Sequence, residues 1–220
     1  MGEAMRFEVI SFDADGTLVD HQFSHIVWFE KIPERYAEKN GLGIDDARSE
    51  LFGQFGMVGD ENPDWFSLDY WFDRLGLGDT SSFMGDIEGL VILYPEVEEV
   101  LEMLGSEHRL IVTSNAPKEF LDIELRSIEG RFDQIYSVPS DLHMVKKDPR
   151  SYQKVCSLLG VETREVVHVG DRWHDDVDSP LKAGITAIHL DREYQGKNDS
   201  VPDLKEFGKR VLEIEGNGFQ

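Results

Sequence analysis

The sequence predicts a doubly wound, Rossmann-like α/β fold, in which a five-stranded parallel core carries a small all-helical domain. From residue 94 onward, short apolar runs alternate with segments of helical periodicity, which is the pattern of a parallel sheet with crossover helices. One further apolar run, residues 7–12, precedes this region and is separated from it by a long stretch of helical periodicity. A chain of 220 residues, 40% of them hydrophobic, can bury one such core and a smaller appendage.

Five apolar runs are predicted to form the strands, and amphipathic segments the helices that cover them. The predicted strands are residues 7–12, 109–113, 134–138, 165–169 and 186–190, and the predicted helices are residues 96–104, 119–127, 150–159, 176–183 and 202–214. We expect this core to comprise residues 1–19 and 93–220.

The intervening residues 20–92 are predicted to form an all-helical insert. Its helices are expected at residues 22–39, 44–55 and 62–75. Pro33 should kink or end the first helix, because proline lacks the N–H group that continues the hydrogen-bond ladder. Asn62 is the predicted N-cap of the third helix, followed by Pro63 at the first helical position. Most of the aromatic residues of the insert are expected to form its own core, while a few could face a ligand.

The charge balance argues against several classes of partner. The chain has 22 basic and 44 acidic residues, and its formal net charge of −22 would repel nucleic acid or an anionic membrane. The single cysteine, Cys156, cannot form a disulfide within the chain, which indicates a reducing compartment. No apolar stretch is long enough to cross a bilayer, and the first residues lack the features of a signal peptide. We therefore expect a cytoplasmic protein, whose oligomeric state the sequence leaves open.

Two carboxylates follow the first predicted strand directly. Asp13 and Asp15 stand in the segment D-A-D-G-T, where Gly16 allows the chain to turn sharply away from the sheet. Open α/β sheets bind ligands outside the carboxyl ends of their strands, which makes this an active-site position. Side chains two residues apart in extended backbone point to the same side, so this pair must share either a cation or a proton. A calcium loop does not fit, because Gly16 comes too early and the distal glutamate is absent.

Polar residues also occur at two later strand and helix ends. Ser114 and Asn115 follow the second strand, where they could hold a phosphate oxygen or simply cap the next helix. Lys146 and Lys147 precede Asp148, the predicted N-cap of a helix. A lysine at this place could neutralise a phosphoryl group, although an isolated lysine is more often solvated.

A fourth polar segment, G-D-R-W-H-D-D, follows the strand at residues 165–169. Asp171 beside the first strand would complete an oxygen-only site of the kind that Mg²⁺ prefers, and the donor set does not favour zinc. His168 alternates with apolar neighbours, so we expect it to be a core residue rather than a metal ligand. His174 lies in the loop, where it contacts either substrate or solvent.

The order of D-A-D-G-T-L, T-S-N, K-K-D-P and G-D-R-W-H-D-D resembles the haloacid dehalogenase-like hydrolase superfamily, in its branch with a helical cap inserted after the first motif. The likeness covers nearly the whole chain. It implies that Asp13 is a nucleophile that forms an aspartyl-phosphate. It also implies that Asp15 is the general acid/base, and that Thr17 steadies this pair.

The resemblance also implies the remaining site residues. Ser114 would supply a phosphate-binding hydroxyl, Asn115 would lie next to the substrate, and Lys146 would hold the nucleophile and the phosphoryl oxygens. The implied Mg²⁺ ligands are Asp13, the backbone carbonyl of Asp15, Asp171, and either Asp175 or Asp176 through water.

Two positions depart from the family pattern. A proline usually follows the lysine of the third motif, but Lys147 stands there, so Lys147 could be the working residue instead of Lys146. The residue after Asp171 is usually small, whereas Arg172 could reach toward the substrate or pair with the surrounding acids.

The sequence therefore predicts a magnesium-dependent phosphatase that acts on a small phosphomonoester. A phosphomutase, a 2-haloacid dehalogenase and a non-catalytic protein that binds phosphorylated ligands are the alternatives on the same fold. Asp15 argues against dehalogenation, which needs no acid for the leaving group. A phosphonate hydrolase would need a reactive cap lysine, and Lys31 and Lys39 stand in ordinary amphipathic segments. The insert has 15 acidic and 5 basic residues, which disfavours a second strongly anionic group on the substrate but leaves the ester open.

Overall fold

The sheet has the predicted five parallel strands, whose spatial order is 3-2-1-4-5 when they are numbered along the chain. The structure is a computed structural model that describes residues 6–59, 62–145, 147–193 and 200–216. The strands are β1 (Val9–Phe12), β2 (Arg109–Ser114), β3 (Gln134–Ser137), β4 (Val166–Gly170) and β5 (Thr186–His189). The predicted α/β class is thus confirmed, and β1 occupies the centre of the sheet, between β2 and β4.

Both faces of the central strands are buried. Every residue of β1 and of β4 is buried. Because side chains alternate along a strand, Ile10 and Phe12 pack into one hydrophobic cluster while Val9 packs into another on the opposite face. Continuous apolar runs such as V-I-S-F are typical of strands that helices cover on both sides.

Five α-helices of the described residues follow the insert, and all connect or flank the strands of the sheet. They are α6 (Val97–Gly105), α7 (Lys118–Glu124), α8 (Pro149–Leu159), α9 (Ser179–Ala183) and α10 (Leu204–Gly216), with a π-helical segment, Trp173–Asp178, leading into α9. The sequence predicted one α-helix from residue 176, whereas the chain makes wider turns before α9 begins. Among the described residues, no helix combines the length and the apolar character needed to cross a membrane.

The insert contains more helices than the sequence indicated. Its helices are α1 (Gln22–Ile26), α2 (Ile32–Asn40), α3 (Ile44–Val58), α4 (Leu68–Leu75) and α5 (Thr80–Ile87). Asn62 does cap a helical segment, but that segment is a short 3₁₀ helix, and Ser67 starts α4 with a second cap. The side chain of Ser67 accepts a hydrogen bond from the N–H of Tyr70, which ends one helical segment and begins the next.

Pro33 does not end the first helix of the insert. A π-helical segment, Val27–Lys31, joins α1 to α2 directly, and Pro33 lies in the first turn of α2. Proline cannot donate to the carbonyl four residues earlier, which belongs to Phe29. Arg48 of α3 donates to that carbonyl instead, over 3.2 Å between Nε and the oxygen. A side chain from the neighbouring helix therefore replaces the missing hydrogen bond.

Two short segments join the insert to the sheet, and they run side by side. The N–H of Asp20 donates to the carbonyl of Ile92 over 2.8 Å, and the N–H of Tyr94 donates to the carbonyl of Leu18 over 3.1 Å. Val19 and Leu93 form an isolated antiparallel bridge between them. The insert therefore leaves and re-enters the core at one place, directly after the turn that carries Asp15.

The N-terminus of α8 carries a capping box. The carboxylate of Asp148 accepts from the N–H groups of Arg150 and Ser151, and the hydroxyl of Ser151 accepts from the N–H of Asp148. Partial burial acts against ionisation, yet the hydrogen bonds from Arg150 and Ser151 hold the pKa of Asp148 below its ordinary value. The ionised cap therefore stabilises the folded state.

We expect Asp148→Ala to lower the free energy of unfolding by about 1 kcal/mol at pH 7, because the cap is lost. The folded pKa is the lower one, so this contribution is present above the unfolded pKa and fades as the pH falls below about 4. Urea denaturation across this pH range measures it. Asp45→Ala, at an exposed aspartate in the first turn of α3, is the matched control. Equal stability of the two variants at pH 7 would contradict the assignment.

Candidate active site

Four polar segments meet at the carboxyl ends of the central strands. Asp13 follows β1 by one residue, and its N–H donates to the carbonyl of Val169 on β4 over 2.9 Å. Asp171 follows β4 directly, Ser114 ends β2, and Lys147 lies just before α8. Because parallel strands end at the same edge of the sheet, residues more than a hundred positions apart become neighbours there.

Lys147 occupies the centre of this arrangement. Its side chain is 1% exposed, and Nζ donates to Oδ1 of Asp13 over 2.6 Å. The same ammonium group also donates to Oδ1 of Asp176. The sequence left open which of two lysines is the working residue, and the structure brings Lys147 to the carboxylates. Lys146 lies outside the described residues.

Three carboxyl groups lie close together beside this ammonium, and two of them, Asp13 and Asp176, contact it. Asp13, Asp171 and Asp176 each offer an oxygen, and these three oxygens lie within 4.8 Å of one another. Burial raises the pKa of Asp13 well above its ordinary value although Lys147 opposes the shift, and burial together with Asp176 raises the pKa of Asp171. Further positive charge at this place would stabilise the ionised forms of both carboxyl groups.

Asp176 behaves differently, because it has more donors. Burial would raise its pKa, but Lys147 and His168 outweigh that effect and hold the pKa of Asp176 below its ordinary value. Its second oxygen accepts from the backbone N–H of Arg172 over 2.9 Å. Asp176 is therefore a fixed negative charge that keeps the ammonium of Lys147 in place. Burial alone would lower the pKa of Lys147, but Asp13 and Asp176 outweigh burial and raise it.

A buried polar network lies beneath Asp176. Nε2 of His168 lies 3.1 Å from Oδ1 of Asp176, and Nδ1 lies 2.9 Å from Oγ of Ser11. Tyr152 on α8 contacts the same Nε2 over 3.0 Å and donates to the carbonyl of Asp175 over 2.9 Å. The expectation of a core position for His168 agrees with its complete burial. Its hydrogen bonds show that it also orients Asp176.

Two glycines allow the chain to approach the carboxylates closely. Gly16 has a φ of +75°, and a Cβ at this position would lie 2.6 Å from Oδ2 of Asp171. A Cβ on Gly170 would collide with the carboxyl group of Asp176. A side chain at either position would displace an acidic group of the cluster.

Asn115 links two loops through both ends of its amide. Oδ1 accepts from the backbone N–H of Lys147 over 2.7 Å, and Nδ2 donates to Oδ2 of Asp175 over 3.2 Å. The other oxygen of Asp175 lies 3.0 Å from Nδ1 of His174, whose side chain is exposed. The structure thus places Asp176 in the acidic group, whereas the carboxylate of Asp175 binds Asn115 and His174.

The remaining predicted residues surround the same crevice. The hydroxyl of Ser114 accepts from the N–H of Ala116, and Thr17 is completely buried, with no hydrogen-bond partner for its hydroxyl among the described residues. Burial raises the pKa of Asp15, while a hydrogen bond from Ser24 and the nearby charge of Arg172 oppose that rise. The side chain of Arg172 itself is exposed.

Sequence reasoning missed two side chains that fix the turn after Asp15. Ser24, in the first helix of the insert, donates to Oδ2 of Asp15 over 2.8 Å. Arg192 donates to the carbonyls of Gly16 and Thr17 over 3.0 and 2.6 Å, and its guanidinium group stacks on the ring of Tyr94. No local pattern marks Arg192, because Gly16 and Thr17 lie 176 and 175 positions away from it in the chain.

The comparisons with known proteins agree with this geometry. The sequence profile of the haloacid dehalogenase-like hydrolases matches residues 7–184. The chain belongs to this family. It is therefore an enzyme of the hydrolase class, and the predicted membership of this superfamily is confirmed.

Individual relatives differ in their reactions. The chain is 25% identical to the GMP/IMP nucleotidase YrfG of Escherichia coli over 167 residues, 74% of either chain. It is 33% identical to (S)-2-haloacid dehalogenase 4A of Burkholderia cepacia over 104 residues, 46% of this chain and 44% of the relative. The crystal structure of a phosphatase of the same superfamily from Thermococcus onnurineus superimposes with a TM-score of 0.80 at 23% identity, over 93% of this chain and 98% of that one.

We expect Lys147→Met to lower the free energy of unfolding by about 3–5 kcal/mol at neutral pH, because Asp13 and Asp176 would lose their shared cation inside the protein. Chemical denaturation in metal-free buffer measures the change. Lys146→Met is the matched comparison, and we expect it to cost less than Lys147→Met. A greater loss for Lys146→Met than for Lys147→Met would show that the wrong lysine has been assigned.

Proposed function

We propose that this protein is a magnesium-dependent phosphatase that hydrolyses a small phosphomonoester through an aspartyl-phosphate on Asp13. The observation that carries the proposal is the contact between Asp13 and Lys147 inside a group of three carboxylates. A carboxylate can approach a phosphoryl group only where positive charge offsets their mutual repulsion. Lys147 provides part of that positive charge. The three carboxylates could bind a metal cation that provides the remainder.

The donor set fits Mg²⁺. All candidate ligands are oxygens, and Oδ1 of Asp171 is buried with no hydrogen-bond partner among the described residues. Asp13, Asp171 and the backbone carbonyl of Asp15 would hold the ion directly, and Asp176 would act through water. Bound Mg²⁺ would neutralise and orient the phosphoryl oxygens.

Asp13 would attack the phosphorus atom while the ammonium of Lys147 stabilises the oxygens around it. Asp176 and the network beneath it hold Lys147 in position, so the charge needs no rearrangement during the reaction. The hydroxyl of Ser114 would contact a phosphoryl oxygen, and Thr17 would steady the turn between the two catalytic aspartates. Asn115 would keep the loops of Lys147 and Asp175 together beside the substrate.

Asp15 would act as the general acid and then as the general base. It would first protonate the departing ester oxygen and then take a proton from the water that attacks the aspartyl-phosphate. Burial raises the pKa of Asp15, which favours the protonated form that the first step needs. The helical insert would serve as a cap that excludes bulk water from the crevice until the aspartyl-phosphate has formed.

A dehalogenase is the second candidate, because one relative carries that activity in its name. Dehalogenation displaces a halide, which leaves without a proton. That reaction therefore needs no general acid at the position of Asp15. The presence of Asp15 together with Asp171 supports phosphate hydrolysis over dehalogenation.

We expect the wild type to hydrolyse p-nitrophenyl phosphate with Mg²⁺ and to lose at least about a hundredfold of that rate in EDTA, because both the nucleophile and the substrate are anionic. Asp13→Asn should be inactive, and Asp122→Asn, an exposed aspartate on α7, should keep the wild-type rate. Release of chloride from 2-chloropropionate would favour the dehalogenase. Transfer of phosphate to another hydroxyl without its release would indicate a mutase. An inert metal-loaded protein that still binds the ester would indicate a binding protein.

We expect Asp15→Asn to slow turnover by about a hundredfold or more, because the amide can neither donate the acid's proton nor accept one from water. Binding of inorganic phosphate, measured by calorimetry, should change by no more than about threefold, since Asp15 does not supply the main charge at the phosphate. Turnover close to that of the wild type would refute the role of Asp15.

A further inference from the structure

One side chain of the insert reaches the proposed acid/base directly. Oγ of Ser24 donates to Oδ2 of Asp15 over 2.8 Å. The other carboxyl oxygen, Oδ1, is buried and has no hydrogen-bond partner among the described residues. The two oxygens of Asp15 are therefore unequal: one is bound to the insert, and the other is unengaged.

We propose that Ser24 is the positioning residue of the general acid, which assigns one oxygen of Asp15 to the insert and the other to the leaving group. This inference rests on the proposed phosphatase function. Because Oδ2 already accepts the hydroxyl hydrogen of Ser24, Oδ1 is the oxygen of Asp15 left free to hold a transferable proton. Oδ1 is then the oxygen that donates to the substrate.

The proton balance of the first step follows from this arrangement. As the carboxylate of Asp13 forms its bond to phosphorus, the bond from phosphorus to the ester oxygen breaks. The proton on Oδ1 of Asp15 passes to that oxygen, and Asp15 becomes a carboxylate whose Oδ2 still accepts from Ser24. In the second step, Oδ1 takes a proton from the attacking water, which restores the acid.

Aromatic residues on both sides of Ser24 in the sequence pack against Phe120 of the core. The ring of Phe23 packs edge-on against Phe120 of α7 with centroids 5.8 Å apart, and the ring of Trp28 lies 5.9 Å from the same residue. These contacts dock the first helix of the insert on the core. The alignment of Asp15 is thereby linked to the docked position of the insert, so that the acid is oriented when the insert covers the site.

The test uses two esters that differ in how much they need the acid. Phenyl phosphate and p-nitrophenyl phosphate have leaving groups of similar shape, but the phenolate is the more basic and requires protonation, whereas nitrophenolate leaves readily without it. The ratio kcat/KM reports the steps up to the departure of the leaving group. For Ser24→Ala we expect kcat/KM to fall about tenfold or more for phenyl phosphate and by less than about threefold for p-nitrophenyl phosphate.

Two variants separate positioning from a general structural effect. Ser24→Thr keeps the hydroxyl and should restore most of the activity toward phenyl phosphate. Ser81→Ala is the matched control, because Ser81 also lies in the insert and also donates to an aspartate, Asp79, over 3.2 Å at the exposed surface. It should behave as the wild type with both esters.

A double-mutant cycle with Asp15→Asn completes the experiment. If Ser24 acts through Asp15, adding Ser24→Ala to Asp15→Asn should cost less than about twofold, because the acid is already lost. Equal losses of Ser24→Ala with both esters, or full additivity in the cycle, would overturn the positioning role while the phosphatase function stands. A wild type that hydrolyses neither ester with Mg²⁺ would overturn the proposed function, and the role of Ser24 with it.

Discussion

A single buried ammonium group joins the loops on which the site depends. Lys147 donates to Asp13, which follows β1, and to Asp176, which follows β4, while its backbone N–H donates to Asn115, which follows β2. Removing charge from water is costly, and this cost is offset only when each buried charge has close partners. The pairing of these charges and the hydrogen bond to Asn115 therefore hold together the segments that follow three strands. The catalytic proposals all follow from that geometry.

Asp13 and Asp176 both accept hydrogen bonds from Lys147, but their surroundings differ. Asp176 receives donors from His168, Arg172 and Lys147, so it remains ionised and rigid. Asp13 lies in the same buried cluster, and its pKa is raised by burial and by the neighbouring acids. A carboxylate whose charge is only partly compensated is the better nucleophile and the better metal ligand. Under the proposed function, Asp176 would therefore support Lys147, and Asp13 would be the acid that reacts.

Local sequence patterns located the strands, the polar segments at their ends and most of the helices of the core. They worked because period-two and period-3.6 patterns depend on neighbours in the chain. They failed where a distant partner decided the outcome. Pro33 lies within a continuous helix because Arg48 of another helix satisfies the carbonyl of Phe29. The helix predicted over residues 62–75 failed for a local reason instead: it divides at Ser67, whose side chain caps a new helix.

The sequence alone determined the parallel α/β class, the polar residues at the strand ends and the oxygen-only chemistry of the site. These properties follow from residue type and spacing. Only the tertiary structure showed that Lys147 contacts Asp13 and that Asp176, rather than Asp175, lies beside Asp13 and Asp171. It also showed that Ser24 and Arg192 contact the turn at Asp15. Adjacent residues of the same type have equal local patterns, so their roles differ only through partners that the folded chain brings from elsewhere.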